Sequence, residues 1–479
     1  MSMYKKVYFV GIKGVGMTSL ALIVKEAGII IRGSDIEQEF ITDDVLKKNE
    51  ITVSHGFKSE DLVNFIGDSR AEEILLITTS AHGGFDNPQV LEASKRGIKI
   101  LTHGQAVGEF MKGEIFGRDF VGISIAGSHG KTTISGMLST ALSLLGEDPS
   151  YSVGTSELFP LGNPGHFGSG EYFVAEADEY VSEIQYDRKP KLLYQFPKIE
   201  IINNIDYDHP DYYNSIEEIE EVFYKFMAQV QNDGFIVVNG DDRRIGSLLA
   251  RLPDKKVITC GIGYDNDYSL GDYKENGRSI TFQVHKKKEG AQDYILNIPG
   301  VHNTLNALTV IAVLETIGYE YSQIARVIAQ FTGTKRRFEV IGEMKNGAIL
   351  IDDYAHHPEE ITKTLSAARL AYPDKKMICI FQPHTLSRTE ALLSDFSLAF
   401  AGIDCLVLLP VFITQREMNV QQEEINILEE FRKNNSSAVL LSDRLSVIKY
   451  VSEHSTPDSL ILTMGAGDVY QIGKSLKDS

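Results

Sequence analysis

Cysteine is scarce in this chain. Among 479 residues there are three, Cys260, Cys379 and Cys405, far apart and never in a C-x-x-C pair. That excludes a disulfide framework and a zinc ribbon, and it fits a reducing compartment, so a cytoplasmic location is expected. Long apolar runs are missing too: nothing approaches the roughly 20 uninterrupted apolar residues of a membrane span. The opening "MSMYKKVYFVGIKGVGM" sets two lysines before an apolar run, as a signal peptide does. The run is short, Lys13 and glycines interrupt it, and no small-residue cleavage site follows, so a first strand and turn is expected. Positive charge is in deficit, with 47 Lys and Arg against 66 Asp and Glu, a formal net charge of −19. Such a chain is a poor non-specific ligand for nucleic acid. Any anionic substrate must be held by local donors against the overall field. Internal repeats, low-complexity tracts and disordered linkers are also lacking, and nothing in the sequence chooses between monomer and dimer.

What is present is the composition of an ordinary globular protein, 43% apolar and 24% charged. The length exceeds one core and suits three units of about 150 residues. The expected architecture is α/β in three domains: residues 1–117 Rossmann-like, 118–331 of the P-loop ATPase type, and 332–479 Rossmann-like again. The junctions near 116–120 and 330–335 are short and contain glycine, which suggests domains that close on one another.

The first segment, "KKVYFVGIKGVGMTSLALIVKEAG", reads strand, glycine turn, apolar helix, and "IIIRGSD" adds a strand ending on Asp35. Gly11, Gly14 and Gly16 let the backbone approach a diphosphate at a helix N-terminus. Read alone, the same glycines also suit a tight strand-to-helix turn. The second segment carries "AGSHGKTTISGML" between a strand and a helix. A Walker loop has a glycine five positions before Gly130, and that position is Ile125. The surrounding strand and helix still fit a phosphate loop, with Lys131 on the β- and γ-phosphates and the Thr132 hydroxyl toward Mg²⁺. Next, "EYFVAEADEYVSE" ends a strand in Glu176, Asp178 and Glu179, where a magnesium ligand belongs. "KIEIINNIDYDHPDYY" ends another in Asn203, Asn204, Asp208 and His209, read as a metal or phosphate site or as a helix-capping loop. In "IPGVHNTLNALTV", Asn303 and Asn306 share a helix face with spacing i, i+3 and suggest amide recognition of a base or phosphate.

The third segment repeats strand and helix patterns. Its strand ends carry Asp352-Asp353-Tyr354-Ala355-His356-His357, then Gln382-Pro383-His384, then Gly465-Ala466-Gly467-Asp468. Ligands of open α/β sheets bind outside the carboxyl ends of strands.

The order glycine turn, G-x-x-G-K-T-T, E-A-D-E, D-H, H-N-x-x-N, K-R-R-F, D-D-Y-x-H-H-P resembles the Mur ligases over nearly the whole chain. "GSHGKTT" (residues 127–133) resembles that family's own phosphate loop. The turn with "GSD" resembles the members acting on UDP-N-acetylmuramate, with Lys13 where a third glycine is usual. "FQPHTLSRT", "TQRE" and "MGAGDVY" resemble members that attach L-alanine, although Thr385 and Leu386 replace the usual Arg and Tyr. "EADEY" and the stretch to "DYDH" resemble members that attach a preformed murein tripeptide. The resemblance implies an ATP-dependent ligase of peptidoglycan precursor synthesis that uses Mg²⁺ or Mn²⁺ and joins L-alanine to UDP-N-acetylmuramate through an acyl phosphate. The tripeptide stands as the alternative amine. Implied ATP ligands are Gly127, Ser128, His129, Gly130, Lys131, Thr132, Thr133, Asn303, Asn306, Arg337 and Asp353. Implied metal ligands are Thr132, Glu176 and His209, and the implied catalytic set is Lys131, Glu176, His209 and Arg337. The UDP-sugar falls to Gly11, Gly14, Val15, Gly16, Met17, Ser34 and Asp35, and the amino acid to His357, His384 and Arg388. Other members use a carbamylated lysine. Lys225 lies near the expected region but is not assigned that part. A nicotinamide oxidoreductase would explain the first turn and Asp35 but not "GSHGKTT" or "KRRFE". A P-loop switch protein would explain the loop but not two further doubly wound units.

Overall fold

A computed structural model describes residues 3–183, 186–208, 212–287, 290–413 and 426–478. His209 and the "TQRE" stretch lie outside the described residues. Three large sheets follow one another along the chain, beside two of two strands each.

The first is five-stranded and parallel, in the spatial order Val53–His55, Ile30–Asp35, Lys6–Val10, Ile74–Thr78, Lys99–Thr102. Strand order reverses between Lys6–Val10 and Ile74–Thr78, which opens a crevice at their carboxyl ends. The glycine turn sits there. Gly11 has φ 80°, and a Cβ on it would lie 2.3 Å from Thr79 Cγ2, so no larger residue fits.

The middle sheet has ten strands. Its parallel centre runs Val257–Gly261, Phe235–Asn239, Ile199–Ile202, Val121–Ala126, Tyr172–Glu176, Ser150–Ser152. An antiparallel meander, Tyr268–Asn276, Ser279–Lys286 and Gly290–Leu296, extends one side. The strand Tyr172–Glu176 shows how the first two domains share a core. Its side chains alternate with period two. Tyr172 and Val174 join the middle core, while Phe173 and Ala175 pack with Met17 and Leu20 of the first domain. Gly165 lies so close to the first-domain helix Val15–Glu26 that a Cβ would meet Ser19 O at 2.1 Å.

The third sheet runs Glu339–Glu343, Ile349–Asp353, Ser459–Met464, Lys376–Phe381, Cys405–Leu408, Val439–Leu440, parallel except for its antiparallel first pair. The polar clusters after Asp352, Phe381 and Met464 therefore emerge together at the carboxyl ends of three adjacent parallel strands. Among the described residues no helix is long and apolar enough to cross a membrane.

Candidate functional site

The strand Val121–Ala126 feeds the loop and the helix Lys131–Leu145. Gly127 (φ 139°) and Gly130 (φ 86°) take backbone angles that other residues avoid, and a Cβ on Gly130 would lie 2.5 Å from Asn203 Nδ2. The neighbouring strand holds the loop in shape. Asn203 Nδ2 donates to His129 O (3.0 Å), and His129 N donates to Asn204 Oδ1 (2.8 Å). These two asparagines therefore scaffold the loop backbone, a role that neither the metal nor the capping reading anticipates.

Lys131 Nζ donates to Gly127 O at 2.7 Å and to Glu179 Oε2 at 2.8 Å. Burial works against its charge, but Glu179, Asp178 and Glu176 outweigh burial and raise its pKa. Glu176 accepts from Gly154 N (2.6 Å), Thr132 Oγ1 (3.2 Å) and Ser135 Oγ (3.3 Å). Burial first and Asp178 second push its carboxyl up. Thr132 and Glu176 thus stand together. Ser135 and Gly154 were not foreseen, since neither belongs to a motif.

A cavity of about 210 Å³ opens between this loop and the third domain, lined by His129, Gly130, Thr132, Thr133, Asn303, Asn306, Arg337 and Asp353 among others. Asn306 Nδ2 donates to Asn303 Oδ1 (3.1 Å), Asn203 Nδ2 reaches Asn306 Oδ1 at 3.3 Å, and Asn303 Nδ2 donates to Pro299 O (2.7 Å). The two asparagines share a face, as their spacing demands, and the chain of amides reaches the phosphate loop. Across the cavity, Arg337 Nη1 lies 3.6 Å from Glu360 Oε1. Asp353 accepts from Phe338 N (2.7 Å) and Ala355 N (2.8 Å), and burial raises its carboxyl to about 6. Arg336, one residue earlier, turns inward: Nε donates to Asp352 Oδ2 (2.9 Å), and its other nitrogens donate to Gly467 O and Gly465 O.

In the first domain, no side chain caps the helix Val15–Glu26, and its first turn carries no acidic residue. Gly14, Val15 and Gly16 are partly exposed there, whereas Met17 is core. Asp35 accepts from Lys13 N (2.8 Å) and Ile36 N (2.8 Å), tying the turn to the second strand. Ser34 is buried and its hydroxyl is spent on Gln89 Oε1 (2.5 Å), facing the core. Lys13 is buried as well. Its Nζ donates to Gln38 O (2.9 Å) and lies 3.2 Å from Asp43, so this departure from the family's glycine ties down the following loop.

The three residues expected at the amino acid are engaged with protein. His357 Nδ1 accepts from Glu359 N (3.4 Å) as a helix cap, and its ring lies 4.8 Å from that of His129. His384 stacks on Phe412 at 5.6 Å. Arg388 Nη2 donates to Asp208 Oδ1 at 2.7 Å, joining the third domain to the middle one. Thr385 takes φ 66° and donates its N–H to Phe412 O (3.0 Å), at the start of the helix Leu386–Ala391. Lys225 is exposed on the helix Ile216–Gln229, within 4.0 Å of Glu221. Sequence reasoning missed Glu360, which gathers His129, His356 and Arg337. The only local signal was its place after "HHP".

A phosphate loop in a central α/β domain, flanked by two doubly wound units and facing a cavity that the third one closes, defines a three-domain nucleotide-site architecture. The chain belongs to the Mur ligase family. Its residues 6–114 match the model "Mur ligase family, catalytic domain", 125–314 "Mur ligase middle domain", and 336–467 "Mur ligase, glutamate ligase domain". It is 35% identical over 474 residues to a UDP-N-acetylmuramate–L-alanine ligase of Caldanaerobacter subterraneus subsp. tengcongensis, covering 98% of this chain and 97% of that one. Among solved structures it is similar to a UDP-N-acetylmuramate–alanine ligase of Thermotoga maritima, with TM-score 0.79, 25% identity, and 99% and 98% of the two chains covered. A murein peptide ligase of Psychrobacter arcticus shares the fold, with TM-score 0.74, 23% identity, and 98% of each chain covered.

Proposed function

We propose that this protein is an ATP-dependent ligase that joins L-alanine to the lactyl carboxylate of UDP-N-acetylmuramate, as the names of its relatives suggest. The observation that carries the reading is the convergence of the phosphate loop with Arg337 and Asp353 of another domain on one cavity. Residues 1–117 then serve the UDP-sugar, 118–331 ATP, and 332–479 the amino acid together with ATP.

The substrate carboxylate attacks the γ-phosphorus and ADP leaves. The amine of L-alanine attacks the acyl phosphate and inorganic phosphate leaves. Both partners in the first step are anions, so cations must offset their repulsion in the transition state. Lys131 exchanges Glu179 for phosphate oxygens, and Arg337 meets them from the third domain. Asn303 and Asn306 face the adenine, and Asp353 the ribose hydroxyls. The Thr132 hydroxyl and the Glu176 carboxylate are paired oxygen donors that suit a hard cation, Mg²⁺ or Mn²⁺. Bound there, the ion would neutralise charge on the phosphoryl oxygens. The open N–H groups of the helix starting at Val15, with the glycine turn at Gly11 and Gly14, suit the UDP diphosphate.

The test is phosphate release from ATP. Release should need UDP-N-acetylmuramate and L-alanine together, and L-Ala-γ-D-Glu-diaminopimelate should not replace L-alanine. Release with ATP alone, or preference for the tripeptide, would overturn the reading.

A further inference from the structure

Three side chains meet where the phosphate loop touches the third domain, and none of them is the Thr132–Glu176 pair. His129 Nε2 lies 3.7 Å from Asp206 Oδ2 and 3.7 Å from Glu359 Oε2. The three ligand atoms all lie within 4.8 Å of one another. His129 is 6% exposed, and its Nε2 has no hydrogen-bond partner among the described residues. Its other nitrogen, Nδ1, lies 3.3 Å from Glu360 Oε1. A carboxylate behind one ring nitrogen fixes the tautomer and leaves the other nitrogen's lone pair pointing outward, the arrangement common behind metal-bound histidines.

Nε2 itself faces two carboxylates. Three electron-rich groups aimed at one point need a positive charge between them. A proton on His129, which burial opposes and Glu360, Glu359 and Asp208 favour, reaches these two carboxylates only as an ion pair, because 3.7 Å is beyond hydrogen-bond reach. An ion about 2.1 Å from each atom sets its ligands roughly 3 to 3.5 Å apart, close to the spacing seen. We propose that His129, Asp206 and Glu359 form a divalent transition-metal site that clasps the middle domain to the third domain. The imidazole ligand favours an ion such as Zn²⁺ or Mn²⁺ over Mg²⁺ or Ca²⁺, which take oxygen ligands. Lys363 holds Glu359 Oε1 and leaves Oε2 for the ion.

The full chain, without nucleotide or sugar, is titrated with Mn²⁺ and the bound ion counted by electron paramagnetic resonance. One Mn²⁺ per chain beyond any held at Thr132 and Glu176 is expected, displaced by Zn²⁺. Glu359→Gln and Asp206→Asn should each weaken it at least tenfold, and Glu176→Gln should leave it in place. Glu359 is 42% exposed, so its variant should fold, and circular dichroism verifies this. Mn²⁺ should also lower the radius of gyration of the parent chain but not of Glu359→Gln. No Mn²⁺ retained, as for a merely protonated His129, overturns the proposal. So does Mn²⁺ lost in Glu176→Gln but kept in Glu359→Gln. A failed ligase assay would not bear on either result, since no substrate is present.

Discussion

Lys131 and Glu179 form a buried ion pair, with Nζ 2.8 Å from Oε2 and the glutamate side chain 1% exposed. In the proposed mechanism this anion keeps the phosphate-binding cation ordered and gives way to a nucleotide. Removing either member alone leaves an uncompensated buried charge.

Lys131→Ala is therefore expected to lower turnover at least a hundredfold, the scale of about 3 kcal/mol typical of one transition-state donor. It should also destabilise the fold. The double variant Lys131→Ala with Glu179→Gln should regain thermal stability but not activity. Melting curves beside turnover decide it: a double variant as unstable as the single one would mean that the pair does not hold the loop.

Glu176→Gln keeps the shape of a carboxylate that accepts three hydrogen bonds but removes its charge. The Mg²⁺ concentration for half-maximal activity should rise at least tenfold with little loss of Tm. An unchanged Mg²⁺ curve would take Glu176 out of the metal site.

Arg336 and Arg337 should separate cleanly. Arg336→Ala strands the buried Asp352 and is expected to cost about 3–5 kcal/mol of stability. Arg337→Ala should leave Tm close to that of the parent, raise KM for ATP, and weaken the compaction produced by a non-hydrolysable ATP analogue with UDP-N-acetylmuramate, read by X-ray scattering. A fully active Arg337→Ala with the same compaction would remove the third domain from the ATP site.

The first domain is pinned to the middle one by His166, whose Nδ1 lies 2.7 Å from Glu26 Oε2 and Nε2 2.9 Å from Asp148 Oδ1. The bond to Glu26, helped by Asp148 and opposed by burial, raises the imidazole to about 9. A raised folded pKa gives stability that is full below the unfolded value of about 6.5 and is lost as pH climbs through about 9. Because the ring is partly exposed, solvent screening leaves about 1 kcal/mol. The Tm difference between parent and His166→Ala should accordingly be larger at pH 6 than at pH 10. A difference that does not depend on pH would show that the ring acts by packing alone.

The meander of residues 268–296 went unread although Asn276-Gly277 is a strong hairpin turn signal and Ile280, Phe282 and Val284 alternate as on a half-buried strand. The "GSHGKTT" loop, the glycine turn and the strand ends of the third segment were legible, since each rests on local chemistry: glycine at positive φ, a cation at a helix start, apolar runs of strand length. The shared face of Asn303 and Asn306 followed from helical spacing alone.

What the sequence by itself determined is which residues are equipped for phosphate chemistry and which segments carry them. Only the tertiary structure decided their partners. "KRRF" offers two equivalent arginines, and nothing local says that Arg336 is buried against Asp352 while Arg337 faces the cavity. "GSD" offers a serine beside Asp35, and only packing turns it toward Gln89. Glu360 is one acidic residue among 66 Asp and Glu, and it matters because folding brings it to His129, 231 positions away. Local conformational preference is written along the chain. The electrostatic environment of a buried group is set by distant residues, and it exists only once the domains meet.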